Sequence, residues 1–494
     1  MPVAGSLHFM TIERTPGPHL TSRIVIPERL EFLRSPGLPP AQLTDVFGEA
    51  GEQLYLVGGS VRDAFLERPL EDFDFATSAR PEKVSSLLGR WADVVYEVGA
   101  VFGTIAARKG DHTVEITTYR DEIYRDQTRK PTVTFSDDIE TDLSRRDFTV
   151  NAIAIALPGL EPVDPFGGLG DLATKVLRTP LDPEVSFGDD PLRMLRLFRF
   201  QATLGFTPHP DLVAAVEKMG ERLEIVSAQR IGDELSKLIV APAPGDALRG
   251  LVLSGLASHL LPELPALAME QDPHHRHKDV LEHTFAVVDK TSPDLVLRLA
   301  ALLHDIGKPE TREFGPEGVT FHHHEVVGAR MARRRLRALR YPKDVVEEVA
   351  ELVHLHLRPH TLKLGWTDSA VRRYVRDAGP LLGRLNELVR SDVTTANPNR
   401  EEAIQRRIDE LEQRIAELSE KEELDRMRPP IDGYQVMDYL GLDPGPKVGE
   451  VLGMLLERRI DEGPYSVAAA YAMTREWAIE EGLGDPGPPP RDEE

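Results

Sequence analysis

The stretch from Leu54 to Phe75, LYLVGGSVRDAFLERPLEDFDF, restricts the fold of this chain more than any other. The apolar run Leu54–Val57 predicts a buried strand, which Gly58-Gly59 ends. Ser60 is suited to cap a short helix through Val61, Ala64, Phe65 and Leu66. A Gly-Gly turn feeding a helix start offers backbone N–H groups to an anion, and Arg62 stands close by as a phosphate clamp. Asp72-Phe73-Asp74-Phe75 predicts a second strand. Alternate strand residues share a face, so Asp72 and Asp74 point together while Phe73 and Phe75 enter a core. Two carboxylates beside a phosphate cradle are the chemistry that holds a divalent cation, Mg2+ first, against a triphosphate.

Phosphate chemistry raises the question of a nucleic-acid partner, and here composition matters. The net charge of -23 repels nucleic acid at long range, so such a partner must be met by local basic patches. With 41% hydrophobic and 29% charged residues, the chain is expected to be soluble and globular, with no membrane partner. No apolar run reaches the roughly 18 residues of a membrane span, and the opening MPVAGSLHFMTIERTPGPHLT does not have the pattern of a signal peptide. The absence of cysteine excludes disulfides and thiolate metal sites, which fits a cytoplasmic location.

The 494 residues suit about three domains, and the punctuation of the chain divides them further. Residues 1–26 read as a loose arm. Residues 27–165 mix helices and strands, with a helix expected over Glu82–Arg90 and strands over Val94–Val98, Gly103–Arg108 and Thr113–Thr118. Past Asp164-Pro165-Phe166-Gly167-Gly168 the periodicity is helical: 166–265 as a neck, 266–400 as a second module, and 401–483 as a C-terminal region. Within the last, Ile404, Ile408, Leu411, Ile415 and Leu418 form a heptad-like run too short for an intermolecular coiled coil, and packing within the chain is expected. Residues 484–494 read as a Pro-rich, acidic, disordered tail. The fold class expected is α+β and mainly helical.

Further candidate residues lie downstream. Glu115 alternates with Val114 and Ile116, so it is free to join Asp72 and Asp74 as a third carboxylate. Arg145-Arg146-Asp147-Phe148-Thr149-Val150-Asn151-Ala152 sets two arginines, an aspartate and an asparagine around one aromatic, a set able to serve phosphate oxygens and ribose hydroxyls. Asp189-Asp190-Pro191-Leu192-Arg193 opens an expected helix, placing Asp190 and Arg193 three apart on one face, with Arg196 and Arg199 following.

Taken in order, GGxVRD at 58–63, DFD at 72–74, RRDFTVNA at 145–152, DPFGGxxDL at 164–172, DDPLR at 189–193 and Arg230 with Glu234 resemble the class II tRNA nucleotidyltransferase family, which includes bacterial poly(A) polymerases. Asp189 departs from the glutamate common in relatives, while Asp190 and Arg193 match. The resemblance implies a polymerase-β-like head with a mixed or antiparallel sheet followed by all-α domains. Asp72 and Asp74 would hold the catalytic Mg2+ with Glu115 assisting. Gly58, Gly59, Arg62, Asp63, Arg146, Asp147 and Asn151 would meet the nucleotide. Asp190 and Arg193 would read the incoming base, Arg196 and Arg199 on the same helix would also meet the nucleotide, and Arg230 and Glu234 would lie in support. Cytosine and adenine both offer an amino donor beside a ring-nitrogen acceptor, which an Asp–Arg pair complements. Uracil and guanine reverse that order, a mismatch of buried polar groups that costs about 10⁴-fold.

A second series carries different chemistry. His283, then His304-Asp305, then Asp392 form the series, and the apolar Leu299–Leu303 leading into His304 and Asp305 places that pair at the core side of a helical bundle. A partly buried His/Asp pair favours a metal or hydrogen-bonded partners, and nitrogen–oxygen ligation suits Mn, Ni, Fe, Zn or Mg. The series resembles the HD phosphohydrolase superfamily. That resemblance makes His283, His304, Asp305 and Asp392 ligands of a second divalent metal, with His324 and His356 as further candidates against their neighbours His322, His323 and His354. HD modules accompany some bacterial CCA-adding enzymes, where phosphatase or 2′,3′-cyclic phosphodiesterase activity is associated. His274, His275 and His277 read as solvated.

The function expected is template-independent addition of CCA to the 3′ end of tRNA from CTP and ATP, with HD-type hydrolysis in addition. The alternatives are poly(A) synthesis, partial CC- or A-addition, or an HD phosphohydrolase with an RNA-binding head. Arg120–Asp138, with Tyr124 and Thr128–Lys130-Pro131, resembles the flexible loop of full CCA enzymes. The basic run from Arg330 to Lys343 reads more readily as a solvated helix face than as an RNA contact. Pro444-Gly445-Pro446 resembles the family's C-terminal RNA-facing segment.

Overall fold

In chain order, the strands of the head are β1 (Leu54–Val57), β2 (Phe73–Thr77), β3 (Val94–Tyr96), β4 (Thr104–Lys109), β5 (His112–Thr118), β6 (Arg120–Ile123), β7 (Thr132–Phe135), β8 (Ala154–Leu157) and β9 (Pro162–Val163). They are described by a computed structural model covering residues 28–70, 73–97, 99–123, 132–269, 279–315, 318–361, 367–393, 398–422, 428–488 and 490. The expected arm, Asp72, Tyr124, Thr128–Lys130-Pro131 and His274, His275 and His277 lie outside the described residues.

Seven of these strands make a mixed sheet in the order β3-β4-β5-β2-β1-β8-β9, while β6 and β7 pair separately. The apolar run of β1 is central for a physical reason. A strand flanked on both edges, antiparallel to β2 and to β8, needs apolar residues on both faces, and Leu54, Leu56 and Val57 are buried. The parallel pairing of β2 with β5 requires a long crossover, supplied by the Pro81–Trp91 helix and the antiparallel β3–β4 pair. Trp91, Leu87, Leu88 and Val84 bury the apolar stripe of that helix.

The chain divides into two compact units at Leu172/Ala173, with 123–132 assigned to the second. Among the described residues from Ala173 onward, the second unit is helical apart from two short strand pairs, Val176–Leu177 with Thr207–Pro208 and Arg312–Gly315 with Gly318–Phe321. The heptad-like run lies on the Pro398–Glu422 helix, where Ile408, Leu411, Ile415 and Leu418 are buried within the chain. Arg414 binds Asp368 through Nε at 3.0 Å, and Arg390 binds Asp409 at 2.8 Å and Glu412 at 2.7 Å. The start of the expected disordered tail is instead held. Arg475 Nε donates to Asp485 at 2.6 Å and Tyr439 donates to the Gly487 carbonyl at 2.7 Å. Local partners that composition does not reveal give these residues a fixed place. No described helix is long and apolar enough to cross a membrane.

The Ala228–Ile239 helix is the seam of this unit. Gly232 lies so close to the next layer that a Cβ there would stand 2.6 Å from the Leu339 carbonyl oxygen. Tyr341 donates to the Gly232 carbonyl at 3.0 Å, and Ser236 Oγ lies 2.9 Å from the same hydroxyl. At the C-terminal end, buried Arg298 donates to the carbonyls of Ile239 at 2.8 Å and Ala241 at 2.5 Å, and to that of Thr291 at 3.0 Å. A cation satisfying terminal helix carbonyls also opposes the helix dipole. Arg298→Met keeps the volume but leaves these acceptors without a donor, so unfolding free energy should fall by about 3 kcal/mol. Urea midpoints of the two proteins at equal m-value measure this loss.

Candidate functional site

In the head, Gly58 turns β1 into the Gly59–Phe65 helix with φ 71° and ψ −135°, a conformation open to glycine. A Cβ at this position would stand 3.0 Å from Arg146 Nη1 and 3.6 Å from Asp74 Oδ2. The missing side chain therefore lets the turn lie against an arginine and a carboxylate. Gly58, not Ser60, is the N-cap residue, and no side chain caps the helix. Ser60 lies inside the first turn, where its Oγ accepts from the Asp74 N–H at 3.4 Å and ties the helix to β2.

The parallel register sets Asp74 directly against Glu115. Phe73, Phe75, Val114 and Ile116 are buried, so both carboxylates occupy the opposite, more open face. Paired carboxylate oxygens on an accessible face are a hard donor set that fits Mg2+. Arg62 donates to Asp63 (Nη2–Oδ2 2.7 Å, Nε–Oδ1 3.0 Å) and to Asn151 Oδ1 at 2.7 Å. Asn151 Nδ2 in turn donates to Asp147 Oδ1 at 2.9 Å. Four candidates from two distant motifs thus form one network, and the Arg62 guanidinium is oriented by it.

Asp142 escaped sequence reasoning. It is fully buried and accepts from Arg145 (Nε 3.1 Å, Nη2 2.6 Å) and from Arg146 Nη2 at 3.2 Å. Burial alone would raise its pKa, but the two guanidiniums outweigh it and hold the carboxyl below the usual range. Its spacing of three and four residues from the arginines within a helical turn was the available signal.

In the second unit, one helix ends at Asp189 and the next runs Leu192–Leu204 with Pro191 at its N-cap. Asp190 is therefore an extended corner residue (φ −135°, ψ 100°), and the expected shared helix face with Arg193 is replaced by two separate anchors. Asp190 Oδ1 accepts from the Leu192 N–H at 3.1 Å, and Oδ2 from Arg230 Nη2 at 2.7 Å. Arg193 Nη1 donates to Ser186 Oγ at 2.9 Å. Arg196 and Arg199 both face the buried Glu234, at 3.1 and 3.2 Å. The Ala228–Ile239 helix thus carries both supports, Arg230 for the acid and Glu234 for the arginines.

The HD residues converge tightly. His304, Asp305, His324 and His356 are buried, while His322 and His323 are exposed and His354 is half-buried, which selects among the crowded histidines. His283 Nε2 lies 2.9 Å from Asp392 Oδ1 and 3.3 Å from His304 Nε2, and His304 Nε2 lies 3.2 Å from Asp305 Oδ2. The Nδ1 atoms of His304, His324 and His356 are turned to the carbonyls of Ala301, Phe321 and Val353, at 2.8, 2.8 and 2.6 Å. An Nδ1–H committed to a carbonyl leaves Nε2 as the acceptor, so these rings fit metal ligation. Burial lowers the pKa of His304, but Asp305 and Asp392 outweigh it and push it up to about 10. Burial and the charge of His304 push His356 down to about 3. Lys308, unnoticed in the sequence, donates to Asp305 Oδ2 at 2.6 Å.

Three family models match the chain: "Poly A polymerase head domain" over 54–178, "Probable RNA and SrmB- binding site of polymerase A" over 205–267, and "HD domain" over 279–414. An A-adding tRNA nucleotidyltransferase of Deinococcus radiodurans is 34% identical over 470 residues, covering 91% of this chain and 99% of that one. The chain belongs to the tRNA nucleotidyltransferase family. A CCA-adding enzyme of Streptococcus gordonii is 40% identical over 237 residues, 48% of this chain and 58% of that enzyme, so this match takes in little more than half of the relative. Among solved structures, the Bacillus stearothermophilus CCA-adding enzyme in complex with CTP superposes with a TM-score of 0.66 at 25% identity, over 90% of this chain and 99% of that one. The enzyme class is nucleotidyltransferase, built as a polymerase head followed by helical domains that include an HD domain. Both the head and HD families are metal-dependent.

Two substitutions test the head geometry. Gly58→Ala forces a strained backbone costing about 1–3 kcal/mol and pushes Arg146 from the turn, so nucleotide addition should be lost while the protein still folds. Primer-extension assay and circular dichroism read the two effects. Asp142→Asn removes the charge between two guanidiniums and should cost about 3 kcal/mol at pH 7. Because the folded pKa is depressed, the contribution of Asp142 is complete above its unfolded pKa of about 3.9 and fades as pH falls through the folded value. The stability gap between wild type and variant should therefore narrow on acidification below about pH 4, as read from urea melts across pH.

Proposed function

We propose that the chain extends the 3′ end of tRNA to CCA, using CTP and ATP without a nucleic-acid template. The observation that carries this reading is the Asp190 corner, with its carboxylate fixed by Arg230 at 2.7 Å and Arg193 beside it on the following helix. A fixed acceptor and a fixed donor complement the amino and ring-nitrogen edges of both cytosine and adenine. The carbonyl and N–H edges of uracil and guanine leave buried polar groups unpaired. The likeness to the Bacillus stearothermophilus CCA-adding enzyme, at 25% identity over 90% of this chain, supports the same product.

The 3′-hydroxyl of the RNA attacks the α-phosphorus of the nucleotide. An O–P bond forms as the bond to pyrophosphate breaks, and the hydroxyl proton leaves to solvent or a carboxylate. Asp72 and Asp74, with Glu115 adjacent, would hold Mg2+, which when bound would supply charge neutralisation at the phosphates. The Arg62–Asp63–Asn151–Asp147 network fixes a guanidinium and an amide for phosphate and ribose oxygens. Arg146, held by Asp142, adds a second fixed cation beside Asp74. The HD centre supports a separate metal-dependent hydrolysis of a phosphate ester, and a tRNA-directed activity supports a cytoplasmic location.

A-addition alone is the second reading, favoured by the A-adding enzyme of D. radiodurans, whose match runs nearly the whole chain. Purified protein is incubated with tRNA lacking CCA and with tRNA ending in CC, using CTP and ATP singly and together, and products are resolved to one nucleotide. A stop after three additions on the first substrate is expected. One A added only to the CC-ending tRNA would establish the second reading, and long A tails would overturn both. Asp74→Ala should abolish addition while HD-site hydrolysis persists.

A further inference from the structure

The strand pair Arg312–Gly315 and Gly318–Phe321 stands between Asp305 and His324 in the chain. Its register sets Arg312 against Phe321 and Phe314 against Val319. Alternate residues of a strand share a face, and directly opposed residues share it too, so Arg312, Phe314, Val319 and Phe321 line one side of the hairpin. The Arg312 guanidinium carbon lies 4.7 Å from the centre of the Phe314 ring, and Lys308 Nζ lies 5.7 Å from the centre of the Phe321 ring. Each of the two aromatic rings on that side thus has a cation against it.

The inner end of the hairpin is fixed to the HD residues. Lys308 Nζ donates to Asp305 Oδ2 at 2.6 Å, and the Phe321 carbonyl meets His324 Nδ1 at 2.8 Å. The outer end is open. Phe314 is 71% exposed, the most exposed phenylalanine among the described residues, and Glu313, Gly315 and Thr320 are exposed beside it. Packing does not account for a ring so placed, because it buries little apolar surface. A nucleobase stacks on an aromatic face and on a guanidinium plane alike, which gives the Phe314–Arg312 pair a use. The Phe314–Val319 pair stands two strand residues, roughly 7 Å, beyond the Arg312–Phe321 pair, the scale of one nucleoside between base and phosphate.

We propose that Phe314, backed by Arg312, is a base-stacking platform that makes the HD centre select phosphate esters of a nucleoside over esters without a base. The inference rests on the HD hydrolysis proposed above and assigns the group that its substrate carries. A base on Phe314 lays its ribose along the hairpin and turns its phosphate toward Lys308 and the HD side chains, with Arg312 as a second cation on the way. Stacking reads no base edge, so the platform accepts any base. A free nucleotide and the last residue of an RNA offer the same chemistry, and binding of the two separates these sources.

A reporter on the platform tests this apart from turnover. Full-length Phe314→Trp is kept in chelator, and its emission is titrated with 2′,3′-cyclic AMP, with a short RNA ending in a 2′,3′-cyclic phosphate, and with ribose 5-phosphate. The parent chain is titrated in parallel. Saturable quenching beyond that of the parent is expected with ligands that carry a base and not with ribose 5-phosphate, and the tighter of the two base-bearing ligands identifies the source. In protein loaded with Mn2+, Phe314→Ala should raise KM for the base-bearing substrate about tenfold with kcat little changed, and Phe314→Tyr should restore it. Thermal melts confirm the fold of each variant. Equal quenching by ribose 5-phosphate, or an unchanged KM in folded Phe314→Ala, would overturn the platform and leave the HD hydrolysis standing. A parent chain that hydrolyses none of these esters would overturn the hydrolysis reading and the platform with it.

Discussion

The parallel pairing of β2 with β5 is the constraint on which the head depends. It sets Asp74 against Glu115, carboxylates that come from strands separated by a helix and two further strands. The neighbouring pairings β1–β2, β1–β8 and β4–β5 are antiparallel, so this one junction forces the chain through a crossover before the second acid can be placed. A slip of one residue would turn Glu115 into the core and Val114 or Ile116 out of it. Burial of Phe73, Phe75, Val114 and Ile116 therefore specifies the register, and the register assembles the acids.

The same economy recurs wherever a charge is held. A carboxylate or guanidinium that leaves water needs a partner of opposite sign with good geometry. Asp142 steadies Arg145 and Arg146, Arg230 steadies Asp190, and Glu234 steadies Arg196 and Arg199. Asp142, Arg230 and Glu234 are thus the three steadying groups. The Ala228–Ile239 helix carries two of them and is itself fixed from behind by Tyr341 and Arg298. Arg298 lies on the helix that leads into His304 and Asp305, so within the second unit it ties that helix to the one carrying Arg230 and Glu234.

Much of this was legible from residue order. The strand–glycine–helix pattern, the strand carrying Asp74, the alternation around Glu115, the helix before β3 and the buried heptad-like run all appear where local periodicity put them, because burial of one face is a local signal. Other features followed no local rule. Gly58 rather than Ser60 caps the first helix because the turn needs φ 71° and ψ −135°, a backbone conformation that glycine adopts without strain, and Arg146 and Asp74 pack close against it. Asp190 stands at an extended corner rather than on the helix because Arg230, from another helix, and the Leu192 N–H divide its oxygens. Asp485 and Gly487 look disordered by composition, yet each meets a partner on a different helix.

By itself the sequence determined which chemical groups exist and which lie on one strand face: acids alternating with core residues, a basic motif around Phe148, and imidazoles placed after an apolar helix. Those are consequences of side-chain type and of backbone period. The tertiary structure decided which histidines are buried, separating His324 and His356 from His322, His323 and His354. It also decided that the two Asp305 oxygens face different imidazoles, Oδ2 toward His304 and Oδ1 toward His324. The direction of a carboxylate oxygen depends on what packs around it from distant segments, and no spacing within the chain encodes that.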